Sequence, residues 1–133
     1  MEKNRWIFRA EKPRKNRPEF EAQKAVVLWA RKNAEKYRPL RFLSASLNGV
    51  KLTPTQYSMA KASGMNAGFP DLELPAARHG YHGLYIEMKS EKGRLSEDQK
   101  IWVDYLKSEK FFHYTAYSSD LAIKCLKWYL NIV

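Results

Sequence analysis

Apolar and polar residues alternate along the chain with spacings that distinguish helices from strands. From Glu19 to about Tyr37, apolar residues recur at the spacing of an amphipathic helix, which should end before Pro39. Its inward stripe consists of Ala22, Val26, Trp29 and Ala30. Glu19 falls on this stripe, whereas Glu21 falls on the face turned to water. If one acid of the helix has a functional role in the protein interior, we expect it to be Glu19.

The order of the later elements points to a fold class. Strands are predicted at residues 41–46, 71–74, 83–89 and 111–118, and helices at residues 53–64, 96–108 and 120–132. Thr53 and Ser96 are suitable helix N-caps, and Gln99 follows Ser96 at capping-box spacing. The strands at 71–74 and 83–89 should be neighbours, because one polar loop joins them. The order α–β–α–β–β–α–β–α predicts an α/β fold, with a mixed central sheet flanked by helices.

Length and charge narrow the class of protein. The 133 residues suit one domain. Residues 1–18 mix charges with two prolines and predict a basic N-terminal arm, followed by a single domain at residues 19–133. The net charge is +10, and residues 1–41 hold thirteen Lys or Arg against five Glu. This asymmetry favours a polyanionic partner.

Other features of the composition exclude several classes. No apolar run approaches the roughly 20 residues of a membrane span, and the N-terminus lacks a secretory signal, so we expect an intracellular protein that does not bind membranes. The lone Cys125 excludes a disulfide within the chain and is expected to be buried filler. His79, His82 and His113 lack the spacing of a zinc site.

Charged residues at the end of a predicted strand carry the candidate chemistry. Side chains alternate along residues 83–89, so Glu87 and Lys89 share one face while Ile86 and Met88 share the other. Burying an unpaired carboxylate or ammonium costs several kcal/mol, so these groups need a metal, a charged partner or an opening to water. A plain ion pair between Glu87 and Lys89 is the simpler alternative.

A second acid lies on the neighbouring strand. Asp71 follows Pro70 directly, where its carboxylate can lie beside Glu87. Two carboxylates, a backbone carbonyl and waters are ligands that Mg²⁺ or Mn²⁺ accepts. Lys89 would then orient or deprotonate the attacking water and stabilise the charge that develops on a phosphate.

The same region resembles a known nuclease domain. The virus-type replication-repair nuclease domain, VRR-NUC, a branch of the PD-(D/E)XK nuclease superfamily, is similar to residues 68–111, which read GFPDLELPAARHGYHGLYIEMKSEKGRLSEDQKIWVDYLKSEKF. The resemblance implies a restriction-endonuclease-like core. It also implies that Asp71 and Glu87 bind the metal, that the Met88 carbonyl completes the site and that Lys89 acts on water.

Two further residues gain roles from the resemblance. The helix that begins EFEAQ resembles the family's leading helix, which implies that Glu19 is an auxiliary acid that reaches the metal through water. Gln99 matches the glutamine of the family's S-x-x-Q helix start and is implied in catalysis beside its capping role with Ser96. Stand-alone members of this length are expected to be homodimers that cut branched DNA, whereas versions built into larger repair proteins are monomers that cut flaps.

The resulting hypothesis is a metal-dependent, structure-selective DNA endonuclease that acts on four-way junctions, with Mg²⁺ or Mn²⁺ and no small-molecule cofactor. Its predicted DNA contacts are Arg14, Lys15, Arg17, Asn48, Arg78, Tyr81 and Arg94. One alternative is a catalytically silent DNA-binding module, for which Asp71, Glu87 and Lys89 would have no use. Another is a flap or restriction-type duplex endonuclease, for which the chain leaves little room for a base-reading domain.

Overall fold

Four helices and a four-stranded sheet make up the described part of the chain. The computed structural model describes residues 17–133, and residues 1–16, which hold nearly all of the predicted basic arm, lie outside it. The helices are α1 (Arg17–Asn33), α2 (Pro54–Ala62), α3 (Glu97–Ser108) and α4 (Ser119–Leu130). The strands are β1 (Ser44–Ala45), β2 (Leu72–Leu74), β3 (Leu84–Met88) and β4 (Phe112–Ala116). This succession confirms the predicted order of elements.

The first helix differs from the prediction at both ends. Arg17 and Pro18, which precede the predicted start at Glu19, are already helical, and the helix stops at Asn33 rather than near Tyr37. In its last turn, the Asn33 side chain donates a hydrogen bond of 2.8 Å to the Trp29 carbonyl. Glu19 and Val26 are buried, as the predicted inward stripe requires.

The predicted strand at residues 41–46 is wrong for its first half. Residues Arg38–Phe42 form a 3₁₀ helix instead, and strand pairing is limited to β1. Pro39 lies in the first turn of that helix and has no N–H to offer a sheet, while Leu40 is buried and anchors the turn. A second 3₁₀ turn, Leu47–Gly49, occupies the Asn-Gly position where a tight turn was expected.

Hydroxyl side chains start the three later helices. Thr53 caps α2 and Ser96 caps α3, as predicted, each within a capping box whose glutamine bonds back to the cap N–H. The box of Ser96 with Gln99 was predicted, whereas that of Thr53 with Gln56 was not. Ser118 caps α4 by accepting a hydrogen bond from the N–H of Leu121.

The sheet is mixed, as predicted, and has the order β1-β2-β3-β4. β1 pairs with β2 and β2 with β3 in antiparallel register, whereas β3 and β4 are parallel. Parallel neighbours need a crossover connection, and α3 supplies it. The predicted neighbour relation between β2 and β3 is confirmed.

One face of the sheet forms the hydrophobic core with α1 and α4. The main buried residues are Val26, Ala30, Leu72, Leu74, Leu84, Ile86, Met88, Ala122, Leu126 and Tyr129. Cys125 belongs to the same core, and burial raises the pKa of its thiol to about 12, which agrees with its expected role as filler. Within residues 17–133 no helix combines the length and apolar character that crossing a bilayer requires.

Candidate active site

Antiparallel pairing brings the two predicted metal-binding acids to adjacent positions. β2 and β3 pair Leu72 with Ile86, so one further step in the same register sets Asp71 opposite Glu87. Their side chains are only 4% and 3% exposed. Two carboxylates buried next to each other repel, which favours a compensating charge between them.

Asp71 is held on both sides by backbone groups. Its Oδ2 accepts a buried hydrogen bond of 2.8 Å from the N–H of Met88. Its own carbonyl accepts one of 2.9 Å from the N–H of Ser46, just beyond β1. The acid is therefore fixed between β1 and β3. The Met88 carbonyl stays a predicted metal ligand.

Glu87 meets the first turn of α3, which covers this face of the sheet. Gln99 Nε2 donates a hydrogen bond of 3.0 Å to Glu87 Oε2, while Gln99 Oε1 accepts one of 2.8 Å from the N–H of Ser96. The orientation of the amide is thus set at both ends. The capping role and a contact with the site coexist, although the sequence did not predict that Glu87 would be the partner.

Glu19 reaches the end of β3 from the opposite side. It is 9% exposed, and its Oε2 accepts a hydrogen bond of 2.9 Å from the N–H of Ser90, the residue after Lys89. Within residues 17–133 no three His, Cys, Asp or Glu side chains gather closely enough to hold a metal ion. The contact of Glu19 with a metal through water stays a prediction.

Lys89 continues β3 by one residue. Its N–H donates a hydrogen bond of 2.9 Å to the carbonyl of Ala116, and this bond extends the parallel pairing with β4. The alternation of side chains gives it the same face as Glu87, and the side chain is half-buried. Gly93 packs on its aliphatic stem, since a Cβ added there would lie 3.3 Å from Lys89 Cδ.

The donor chemistry fits a hard divalent cation. Asp71 and Glu87 offer only oxygen, and Mg²⁺ characteristically binds to one or two carboxylates while it keeps several waters and takes substrate phosphate oxygens. Mn²⁺ accepts the same ligands. A cation between the two acids would also offset the repulsion of their buried charges.

The loop before Asp71 is clamped between α3 and the turn after β1. Trp102 Nε1 donates a hydrogen bond of 3.0 Å to the carbonyl of Ala67, and Asn48 Nδ2 donates one of 2.8 Å to the carbonyl of Phe69. Gly68 has φ +86, and a Cβ added there would lie 2.5 Å from the backbone carbon of Asp98 in α3. Sequence reasoning missed this clamp, although the glycine before Pro70 was its one local signal.

Among the described residues, the predicted DNA contacts do not form one group. Arg14 and Lys15 lie outside the described residues, and only the backbone of Arg17 is described. Asn48 braces the loop before Asp71, as above. Arg94 is exposed and follows the turn that packs on Lys89.

Arg78 and Tyr81 lie in the loop between β2 and β3, at the opposite end of this hairpin from the acids. Three residues of strand separate them from Asp71, or roughly 10 Å. Tyr81 packs on Phe112 at 5.1 Å between ring centroids. His79 stacks on the Trp128 ring at 4.4 Å between ring centroids. The structure therefore docks this loop on α4 and does not bring it to the carboxylates.

Comparisons with known proteins agree with the fold. The model of the VRR-NUC domain matches residues 9–120, which include α1 and all four strands. A solved structure described as a "VRR_NUC domain protein" is 26% identical to this chain and superimposes on it with a TM-score of 0.71. The match covers 89% of this chain and 92% of the chain in that structure. No significant match is found among the curated proteins. Because the domain model spans most of the sequence, the chain belongs to the VRR-NUC family.

Proposed function

We propose that this protein is a divalent-metal-dependent, structure-selective DNA endonuclease that hydrolyses phosphodiester bonds in branched DNA, above all in four-way junctions. Membership of the VRR-NUC family implies a nuclease-type function in DNA processing. The observation that carries the finer proposal is the register that sets buried Asp71 opposite buried Glu87, with Lys89 on the same face.

Asp71 and Glu87 are the residues that would hold Mg²⁺ or Mn²⁺. When bound, such a cation supplies Lewis-acid stabilisation of phosphate charge and lowers the pKa of water. Asp71 is already fixed by the Met88 N–H, and Glu87 by the Gln99 amide, so neither side chain must be ordered when a substrate arrives. Residues that orient ligands in this way affect metal affinity and activity.

Lys89 is the residue that would act on the nucleophile. Its amine hydrogen-bonds and orients the attacking water, and its positive charge stabilises the negative charge that develops on the phosphate oxygens. Glu19 supports this role from a distance, because its bond to the Ser90 N–H fixes the chain directly after Lys89.

Charge favours recognition of the DNA backbone over the base sequence. The net charge of +10 suits contacts with many phosphates, and such contacts carry no sequence information directly. A homodimer would present two active sites related by a two-fold axis, which suits two symmetric cuts in a four-way junction. A catalytically silent module is disfavoured, because burying two acids without a use for them would only cost stability.

A cleavage panel tests the proposal. Single strand, linear duplex, flap and four-way junction of matched sequence are incubated with Mg²⁺, Mn²⁺ or EDTA, and the mass of the protein is measured by light scattering. We expect cleavage of the junction to be fastest, to stop in EDTA and to come from a dimer. Fastest cleavage of flaps by a monomer would instead favour a flap endonuclease. Binding of every substrate without cleavage would favour the silent module.

A further inference from the structure

A cavity of about 250 Å³ opens beside Asp71, on the β1 side of the sheet. α2 supplies one wall through Ala60, the turn after β1 supplies Leu47 and Asn48, and the loop before Asp71 supplies Met65, Asn66 and Phe69. A cavity of about 150 Å³ is enough for one benzene ring, so this one has room for a planar group of one or two rings. It is called the β1 cavity below.

Hydrogen bonds tie the β1 cavity to the candidate active site. Ser46, in its wall, donates its N–H to the Asp71 carbonyl at 2.9 Å. Asn48 donates its amide to the carbonyl of Phe69, two residues before Asp71, at 2.8 Å. Neighbouring strands lie about 4.8 Å apart, so the wall at Ser46 is one strand spacing from the backbone of Asp71. A nucleotide with its phosphate at Asp71 would bring a base to this wall.

The lining suits a nucleobase. Leu47, Met65 and Phe69 offer apolar surface for a ring face, and Asn66 offers an exposed amide at the edge. Extruded bases are held in pockets of this kind, by stacking on apolar or aromatic side chains and by hydrogen bonds to their polar edge.

We propose that the β1 cavity receives one unpaired base next to the phosphodiester that is cut. The inference rests on the proposed function and adds a source of selectivity to it. A base at a branch point is less firmly paired and stacked than one within a duplex, so it enters the cavity at a smaller energetic cost. Branched DNA would then be preferred because of its open bases as well as its shape.

Filling the cavity from α2 tests the inference. Ala60→Leu adds a larger side chain to the wall and keeps a good helix former, whereas Ala62→Leu makes the same change at an exposed position of α2 outside the cavity. Junctions carry 2-aminopurine at each position that flanks the cleavage site, and its fluorescence is recorded with bound protein in Ca²⁺. Single-turnover cleavage in Mg²⁺ is measured on the same junctions and on junctions with an abasic nucleotide at those positions.

The wild-type protein and A62L should raise the fluorescence at one flanking position, and A60L should not. An abasic nucleotide at that position should slow the wild-type protein by at least about fivefold and should slow A60L no further. Because the abasic comparison needs only the wild-type protein, it stands even if A60L folds poorly. If neither the abasic nucleotide nor A60L changes the rate of junction cleavage, the cavity inference is overturned and the proposed function is not. A wild-type protein that cuts no branched DNA overturns it together with the proposed function.

Discussion

The Gln99 side chain donates a hydrogen bond of 3.0 Å to the Glu87 carboxylate from the first turn of α3. The same side chain closes the capping box with Ser96, so the start of the helix and the orientation of a buried acid depend on one amide.

Variants of the capping box separate the two roles. Gln99→Met removes the amide at similar length and should lower cleavage activity about 10- to 100-fold, because Glu87 loses the group that orients it. Ser96→Ala removes only the cap and should cost about 1 kcal/mol of stability with little effect on cleavage. Thermal unfolding and single-turnover cleavage measure both effects. Equal cleavage activity of the two variants would show that the hydrogen bond from Gln99 to Glu87 does not contribute to cleavage.

Gly68 should be intolerant of a side chain for a reason that Gly80 does not share. Both have positive φ, +86 and +83, so alanine at either costs roughly 1–2 kcal/mol in backbone strain. Only at Gly68 would the new Cβ meet the backbone of Asp98, 2.5 Å away, and so push α3 from the loop before Asp71. We expect Gly68→Ala to lose more stability than Gly80→Ala and also to lose activity. Equal losses of melting temperature and of cleavage rate in the two variants would contradict the proposed clamp of the loop before Asp71.

Lys89→Met should leave the acids intact and impair the chemical step. If the amine activates water, cleavage in Mg²⁺ should fall by about 10² to 10⁴, while calorimetry should find Mg²⁺ affinity little changed. Lys92→Met, in the exposed turn that follows, is the control for loss of one positive charge. A loss no greater than that of K92M would remove Lys89 from the proposed chemistry.

His113 should make the protein sensitive to mild acid. It pairs with Tyr85 across β3 and β4, and burial, helped by the positive charge of Lys107, lowers its pKa from 6.5 to about 4. Between these pH values His113 binds a proton in the unfolded chain but not in the folded protein. The free energy of unfolding should therefore fall as pH drops from about 6.5 to about 4, by at most about 1.4 kcal/mol per pH unit.

Denaturant titrations at several pH values measure this loss. His113→Gln should flatten the curve in that window, whereas His82→Gln, at an exposed position in the loop before β3, should retain the slope. An unchanged slope in H113Q would mean that another group causes the acid sensitivity.

Local signals in the sequence predicted much of the fold. The order of elements, the caps at Thr53 and Ser96 and the buried position of Glu19 depend on residues within one or two turns, so they could be read from spacing alone. The hairpin of β2 and β3 was predictable for the same reason, because a single loop joins the two strands. Residues 41–43 were assigned wrongly, since Pro39 and buried Leu40 favour a 3₁₀ turn over a strand.

Contacts between distant parts of the chain could not be predicted in this way. Glu19 and Ser90 are 71 positions apart, and His79 and Trp128 are 49 apart. No periodicity links such pairs, because they depend on how α1 and α4 pack on the sheet. The family resemblance singled out Glu19 and Gln99 as important without stating that one tethers the chain after Lys89 and the other holds Glu87.

The most direct test of the central claim compares three acids on one face of the sheet. Asp71→Asn and Glu87→Gln remove the proposed metal ligands, whereas Glu73→Gln neutralises the acid two residues along β2 on the same face. Single-turnover cleavage of a four-way junction is measured in Mg²⁺, with junction binding in Ca²⁺ as the control for folding. We predict that D71N and E87Q bind the junction but do not cut it, while E73Q cuts at nearly the wild-type rate. Wild-type cleavage by D71N and E87Q would contradict the account.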